Sequence, residues 1–455
     1  TSATPIPFCH AGSPRQPYRR CAFRPCRGDH AASPTIDRVT ERFLRQWLTP
    51  VVVFFAIRAV GILVLADLAR LNGKSLGDRL AAWDGKWMLA IAEHGYDNVP
   101  VDLTDAWGVH SVDTAYAFFP GYPYLVSVVA RLPLVTTYGA AIAVNVVLCV
   151  FAAAGVARLG ALCAQRMATA TPLPWDRLRA AMPGSLSRFV PDPGPRPEPA
   201  SHPDPYTVGL ITVALFAATR MSIVLNMAYT EALFCAVAVW ALIGVLEERW
   251  LLAGVCALLA GATRPTGVVV IATVVVVGLT TLRRWPGRSE SARILTAITL
   301  SPIGYLGFLG VVWARTGHPL GWFTIQTDGW DTRFDFGVAA VRFVNDSLTH
   351  SGEVAPVATA AIMLSTPLLI AVAVWSRLPW PVLLYAMLVV ASIMASSGLM
   401  MSRARLLLPA FVLLIPFAVI MARWRPPVIV ATLLPVVAGS AWFGAHMLTV
   451  YPHAM

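Results

Sequence analysis

Residues 48–69 read LTPVVVFFAIRAVGILVLADLA, an apolar run longer than the about 20 residues that an α-helix needs to cross the hydrocarbon of a bilayer. One such run would fit a simple anchor. Comparable runs recur, however, at about 138–164, 206–225, 228–246, 250–263, 266–284, 293–315, 356–375, 379–397, 403–422 and 426–447, of which only 250–263 is short. Of the 455 residues 57% are hydrophobic and 13% charged, and the mean hydropathy is strongly positive. Those values exclude an ordinary soluble domain. The sequence predicts an all-α, polytopic transmembrane helical bundle with about 11 crossings.

The net charge of +11 does not point to nucleic acid, because the basic residues gather in the N-terminal tail and in short loops between apolar runs. Residues 1–45, rich in Pro, Arg and Ser, read as a disordered basic cytoplasmic tail, or as sequence upstream of the true start. The transmembrane domain is then 46–455. A cytoplasmic N-terminus puts the loop at 70–116 outside, with Asp78, Asp84, Glu93, Asp97, Asp102, Asp105 and Asp113. The segment at 117–132, opening Phe118-Phe119-Pro120-Gly121-Tyr122-Pro123-Tyr124, decides the rest of the topology. A full crossing there would place Arg283, Arg284, Arg288, Arg423 and Arg425 outside, against the positive-inside rule. A broken or re-entrant segment avoids this, and its two prolines permit one. The Pro-rich linker at 165–205 then lies in the cytoplasm and the loop at 316–355 outside.

Cys149, Cys163, Cys235 and Cys256 sit in or beside apolar runs as small hydrophobes. Cys9, Cys21 and Cys26, with His10 and His30, match no standard zinc spacing, and neither do His94, His110, His318 and His350. No metal and no cofactor is implied. Glycine-rich phosphate loops and Gly-x-Ser-x-Gly motifs are also missing from the sequence, which argues against nucleotide hydrolysis.

Chemistry is expected where ionisable groups stand at membrane depth. On the outer side these are Asp84 and Lys86 in Trp83-Asp84-Gly85-Lys86-Trp87, then Arg220, Glu231, Arg264, Arg403 and Arg405. Two carboxylates and several guanidiniums around one cavity suit a reaction on an anionic lipid, arginine holding phosphate and carboxylate taking a proton. Plainer roles fit the same residues. Asp84 opens a helical pattern and reads equally as an N-cap, with the tryptophans as interfacial anchors. Glu231 suits a helix N-terminus, and Arg264, Arg403 and Arg405 could snorkel.

The motifs Trp83-Asp84-Gly85-x-Trp87, Ile91-Ala92-Glu93-x-Gly95-Tyr96, Phe118-Phe119-Pro120-x-Tyr122-Pro123, Tyr229-Thr230-Glu231-x-Leu233-Phe234, Thr263-Arg264-Pro265-x-Gly267 and Arg403-x-Arg405-x-x-Leu408-Pro409 follow one another over about 48–420. This ordered set resembles the PIG-V-like mannosyltransferase family within the GT-C class of polytopic membrane glycosyltransferases. The resemblance implies a GT-C-like fold in the cell membrane, an active site on the outer side and a polyprenyl phosphate mannose donor. It further implies a glycolipid, lipoglycan or protein acceptor, and inverting transfer with Asp84 as general base. Arg264, Arg403 or Arg405 would neutralise the departing lipid phosphate, and Glu231 would orient sugar or acceptor. Trp83, Trp87, Tyr122 and Tyr124 would offer faces to sugar or prenyl chain, and Gln326 a sugar contact. Lys86 belongs to the same substrate-binding set. The tail and the Pro-rich linker have no counterpart in that pattern. A transporter or flippase of a lipid-linked glycan is the alternative, although no repeated halves are visible. A non-catalytic subunit of an envelope complex is a third reading.

Overall fold

In the computed structural model residues 47–169 and 203–451 are described, and they are helical, with no strand beyond one isolated bridge between Phe334 and Ser396. The tail at 1–45 and most of the 165–205 linker lie outside the described residues. The chain begins with α1 (Thr49–Leu71), α2 (Leu76–Leu80) and α3 (Asp84–His94), then a 3₁₀ turn at Thr114–Ala117 and α4 (Gly121–Ala130). The long α5 (Thr137–Ala168) starts where Thr136 Oγ1 accepts the Gly139 N–H at 3.0 Å. After the linker come α6 (Pro205–Ala217), α7 (Glu231–Leu246), α8 (Trp250–Thr263), α9 (Gly267–Leu282), α10 (Arg288–Leu300) and α11 (Ile303–Thr316). The last third holds α12 (Gly321–Trp330), α13 (Val338–Thr349), α14 (Val354–Trp375), α15 (Trp380–Met394), the short α16 (Arg403–Leu406), α17 (Ile415–Met421) and α18 (Pro426–Thr449).

Five helical stretches among the described residues are long and apolar enough to cross a membrane: α1, α5, α10 with α11, α14 and α18. A sixth arises if Met400–Leu406 and Leu408–Met421, bent by 53°, count together. The remaining apolar helices are shorter than a straight crossing. The chain is thus a membrane-type helical bundle. At its centre is α7, nearly every residue of which is buried, against α5 and α8. Small residues let these helices approach, since apolar side chains alone gain little from leaving lipid. A Cβ on Gly209 of α6 would stand 2.5 Å from the Ala157 carbonyl oxygen of α5.

Two expected elements come out differently. The run at 206–225 is not one helix: α6 stops at Ala217 and a 3₁₀ turn follows at Ser222–Asn226. There the Ala217 carbonyl accepts the Ser222 hydroxyl at 2.8 Å and an Arg58 N–H at 3.1 Å, which closes the helix end with side chains. The run at 403–422 is α16, a 3₁₀ stretch at Leu408–Leu414, and α17, broken where Pro409 and Pro416 remove backbone donors. At 117–132 the helix α4 has 10 residues, about half the thickness of the hydrocarbon.

The loop at 70–116 is built around a second core. Trp87 and Ile91 of α3 pack with Tyr96, Tyr116, Phe119, Phe308 and Trp322, so that α3 is fastened to α11 and α12. The free cysteines Cys149, Cys163, Cys235 and Cys256 are buried.

Changing Gly209 to Leu should destabilise the bundle by about 1–3 kcal/mol through overpacking. Thermal unfolding in detergent checks this against Gly310→Leu, whose surroundings are open and which should leave the midpoint nearly unchanged.

Candidate functional site

Trp83, just before α3, has φ 51° and ψ −116°. A bulky residue held there is strained by about 1–3 kcal/mol. The kink delivers Asp84 as the first residue of α3. Trp83, not Asp84, stands at the N-cap position, and it makes no side-chain capping bond. The expectation of Asp84 as the cap is therefore corrected: its Oδ2 turns instead to Arg405 Nη2, 2.5 Å away.

That pair is one end of a chain of alternating charge. Arg405 Nη1 lies 3.8 Å from Glu231 Oε1, and the same oxygen lies 3.3 Å from Arg264 Nη1. Each member is placed by a local rule. Pro265 forces Arg264 out of helical backbone, so α8 ends at Thr263 and Arg264 is extended (φ −167°, ψ 161°). Glu231 is the first residue of α7, at the positive end of the helix dipole. Arg405 rides on the four-residue α16. The Arg405 guanidinium lies over the Tyr229 ring at 4.9 Å, and that of Arg264 over Phe234 at 5.4 Å. Two hydrogen bonds fasten the 80–84 segment to the start of α7: Tyr229 Oη donates to the Ala82 carbonyl at 3.1 Å, and the Ala228 N–H to that of Leu80 at 2.9 Å.

Burial is graded along this chain. The Glu231 side chain is 1% exposed, those of Arg405 and Arg264 8% and 9%, and that of Asp84 33%. Two positive and two negative groups balance, as burial of charge requires. Hydrogen bonding is incomplete, however. Among the described residues both Glu231 carboxylate oxygens, Arg264 Nη1 and Arg405 Nε have no well-aligned partner, so the inner part of the chain keeps donors that an anion could engage.

Asp84 forms part of the wall of an open cavity of ≈ 670 Å³, with Trp83, Lys86, Trp87, Trp330 and Met400. Trp87 stacks on Phe118 at 5.3 Å, and Trp330 meets both rings edge-on at 6.5 and 5.7 Å. The cavity therefore combines a carboxylate, an exposed ammonium and an aromatic wall. Asp102 and Asp105 also line it. Behind it Tyr96 donates to the Phe118 carbonyl at 2.8 Å and Tyr116 to Asp97 at 3.2 Å. Burial first, then Tyr124 and Tyr116, pushes the Tyr96 phenol well above its ordinary value, and burial followed by Asp97 raises Tyr116. Both phenols stay protonated and keep donating.

The other predicted site residues take separate places. Tyr122 is fully buried and donates to the Ala141 carbonyl at 3.4 Å, within the bundle core. Gln326 donates to the Ala117 carbonyl at 3.0 Å, tying α12 to the 3₁₀ turn at 114–117. Tyr124 and Arg220 are exposed. Arg403 turns away from Arg405: it donates to Ser396 Oγ at 3.1 Å and to the carbonyls of Ser396 and Ser397 at 2.6 Å each. This clamp fixes the turn before Leu399–Met401, which line the cavity. Next to it the amides of Ala339 and Gly337, donating at 2.7 and 2.9 Å, hold the Asp335 carboxyl below its usual value of 3.8.

One polar group escaped the sequence reading. Arg58, in the middle of α1, is buried and donates to Asn226 Oδ1 at 2.9 Å, the Ala217 carbonyl at 3.1 Å and Ser222 Oγ at 2.6 Å. Among the described residues its Nη2 has no hydrogen-bond partner and its acceptors are all neutral. The signal was available, as a lone arginine inside an apolar run. Arg58 fixes the 3₁₀ turn whose exit leads to Tyr229 and Glu231.

No family model matches the chain, and no curated protein matches it.

Arg58→Met should lower stability by about 1–3 kcal/mol by stranding its buried acceptors, read as an earlier unfolding midpoint in detergent. Because the carboxyl of Asp335 is lowered on folding, its stabilisation is present above the ordinary carboxyl range and is lost as pH falls through the lowered value. Amide-exchange protection at Gly337 and Ala339 should therefore drop below about pH 4. The Asp335→Asn variant should show no such step.

Proposed function

We propose that the chain is an integral membrane glycosyltransferase that moves a hexose, mannose by the PIG-V-like resemblance, from a polyprenyl phosphate donor to a glycolipid, lipoglycan or protein acceptor. The observation that carries this reading is the Asp84 carboxylate at the wall of an aromatic-lined cavity, backed by the buried Arg405–Glu231–Arg264 chain. Oδ2 of Asp84 is engaged by Arg405, so the base is the second carboxylate oxygen. It takes the proton of an acceptor hydroxyl while that oxygen attacks the anomeric carbon from the side opposite the lipid phosphate. The bond from the anomeric carbon to the phosphate oxygen breaks, and the phosphate leaves with its lipid and both bonding electrons. The configuration inverts and no covalent enzyme intermediate forms.

Arg405 and Arg264 carry the guanidinium groups that neutralise the departing phosphate, and Glu231 holds the two of them side by side. Trp83, Trp87 and Trp330 give the faces against which a sugar ring or prenyl chain lies. Lys86, exposed at the cavity wall, receives the acceptor or the phosphate. In this reading Arg403 and Gln326 position backbone around the cavity, and Tyr122 supports the bundle. The long stretches, the bent pair and the short helices α6, α7, α8, α9 and α15 supply eleven crossings, with α4 re-entrant. The N-terminus is cytoplasmic and the cavity opens on the outer side.

Membranes carrying Asp84→Asn and supplied with polyprenyl phosphate mannose should lose sugar transfer by about 10²–10⁴-fold, while the protein still folds and inserts, with an unfolding midpoint lowered by the loss of the Arg405 partner. Full transfer by that variant would refute the assignment. Comparing lipid extracts of a deletion strain and its parent by mass spectrometry names the acceptor, as the glycolipid that is lost or truncated.

A further inference from the structure

The loop between α12 and α13 exposes hydrophobic surface that nothing in the described fold covers. Phe334 and Phe336, 64% and 85% exposed, meet edge to face at 4.6 Å. Phe336 is held at φ 58°, a value that strains a bulky residue, so the ring is presented outward at a cost. The surface continues onto α13. At 3.6 residues per turn Val338, Val341 and Leu348 share one exposed stripe with Asn345, beside the face on which Ala340, Phe343, Val344 and Ser347 pack inward. Arg342, Asp346 and Thr349 fall on the third side. The helix has two apolar faces, only one of which has a partner among the described residues.

We propose that this second face, from Phe334 to Leu348, lies in the interface of the lipid bilayer. Chain length supports this occupant. Only residues 350–353 separate α13 from α14, a stretch of at most about 14 Å, and α14 is one of the helices long and apolar enough to cross. The end of α13 thus cannot leave the neighbourhood of the membrane surface. Charge identifies the kind of contact. Within 331–350 the two arginines, Arg333 and Arg342, are outnumbered by Asp331, Asp335 and Asp346, so the segment has no positive excess for anionic headgroups. Insertion of phenyl and aliphatic groups drives the contact. The inference rests on the membrane-type bundle alone and is independent of the transferase reading.

The contact reaches the cavity. Asp335 N–H donates to the Ala395 carbonyl at 3.0 Å and Ser397 N–H to that of Arg333 at 2.8 Å. Trp330 on one side of this pairing and Leu399–Met401 on the other are cavity wall. An interfacial stripe at 334–348 therefore holds that wall at the level of the headgroups.

The test uses the full chain in phosphatidylcholine liposomes, with Cys9, Cys21 and Cys26 changed to Ser and an environment-sensitive fluorophore on Val341→Cys or Asp346→Cys. Both positions are exposed, so both variants should fold. Headgroup-proximal nitroxide lipid should quench the 341 label at least about threefold more than the 346 label. Aqueous iodide should show the opposite order, and adding anionic lipid should change neither. Equal access of iodide to both labels would overturn the proposal. So would protection at 341 that rises with protein-to-lipid ratio, since a second copy would then be the occupant.

Discussion

Glu231 is a carboxylate at the head of a helix in the middle of an apolar bundle, and its burial can be sustained only because two guanidiniums come to it. They come from far along the chain. Arg264 arrives from the broken junction of α8 and α9, and Arg405 from the short helix inside a bent span. Asp84 then closes the series from a loop helix. Four elements that apolar packing would let slide are held in one register by this demand for neutrality. The breaks in the helices fall where these charges stand, because only at helix ends do such side chains and free backbone groups meet.

On this ionic floor stands a wall of a different kind. The α3 helix, the 3₁₀ turn at 114–117 and α12 share the aromatic second core, and Trp87 of α3 and Trp330 of α12 line the cavity that Asp84 borders. The floor is fixed by charge pairing inside the bundle. The wall is fixed by ring packing between loops. A group reaching the cavity meets an oriented carboxylate on one side and large apolar faces on the other, the mixture on which the proposed transfer relies.

Much of this was legible in the sequence, since Asp84, Glu231, Arg264 and Arg405 are ionisable residues in apolar surroundings and few such residues occur without a partner. What the sequence did not reveal is direction. Arg403 and Arg405 look equivalent as letters, yet residues two apart on a helix point away from each other, so one clamps the Ser396 turn while the other meets Asp84. Tyr122 and Gln326 sit in suitable motifs, but their hydrogen bonds go to backbone carbonyls. The run at 206–225 has helical composition throughout. Its break depends on Arg58 and Ser222 side chains taking the Ala217 carbonyl, a tertiary event with no local signature.

Arg58 also governs the order in which the chain can be completed during synthesis. Its side-chain acceptors Asn226 and Ser222 are 168 and 164 residues further on. At about 5–20 residues per second a ribosome needs roughly 10–30 s to reach them. Throughout that interval α1 carries an arginine whose placement at the centre of a span is unfavourable by about 2.5–3.5 kcal/mol. On emerging, α1 is therefore incomplete, held at the insertion machinery or tilted toward headgroups until α6 and its 3₁₀ turn arrive. Assembly around α1 is timed by Asn226, the latest-made of the partners Arg58 finds.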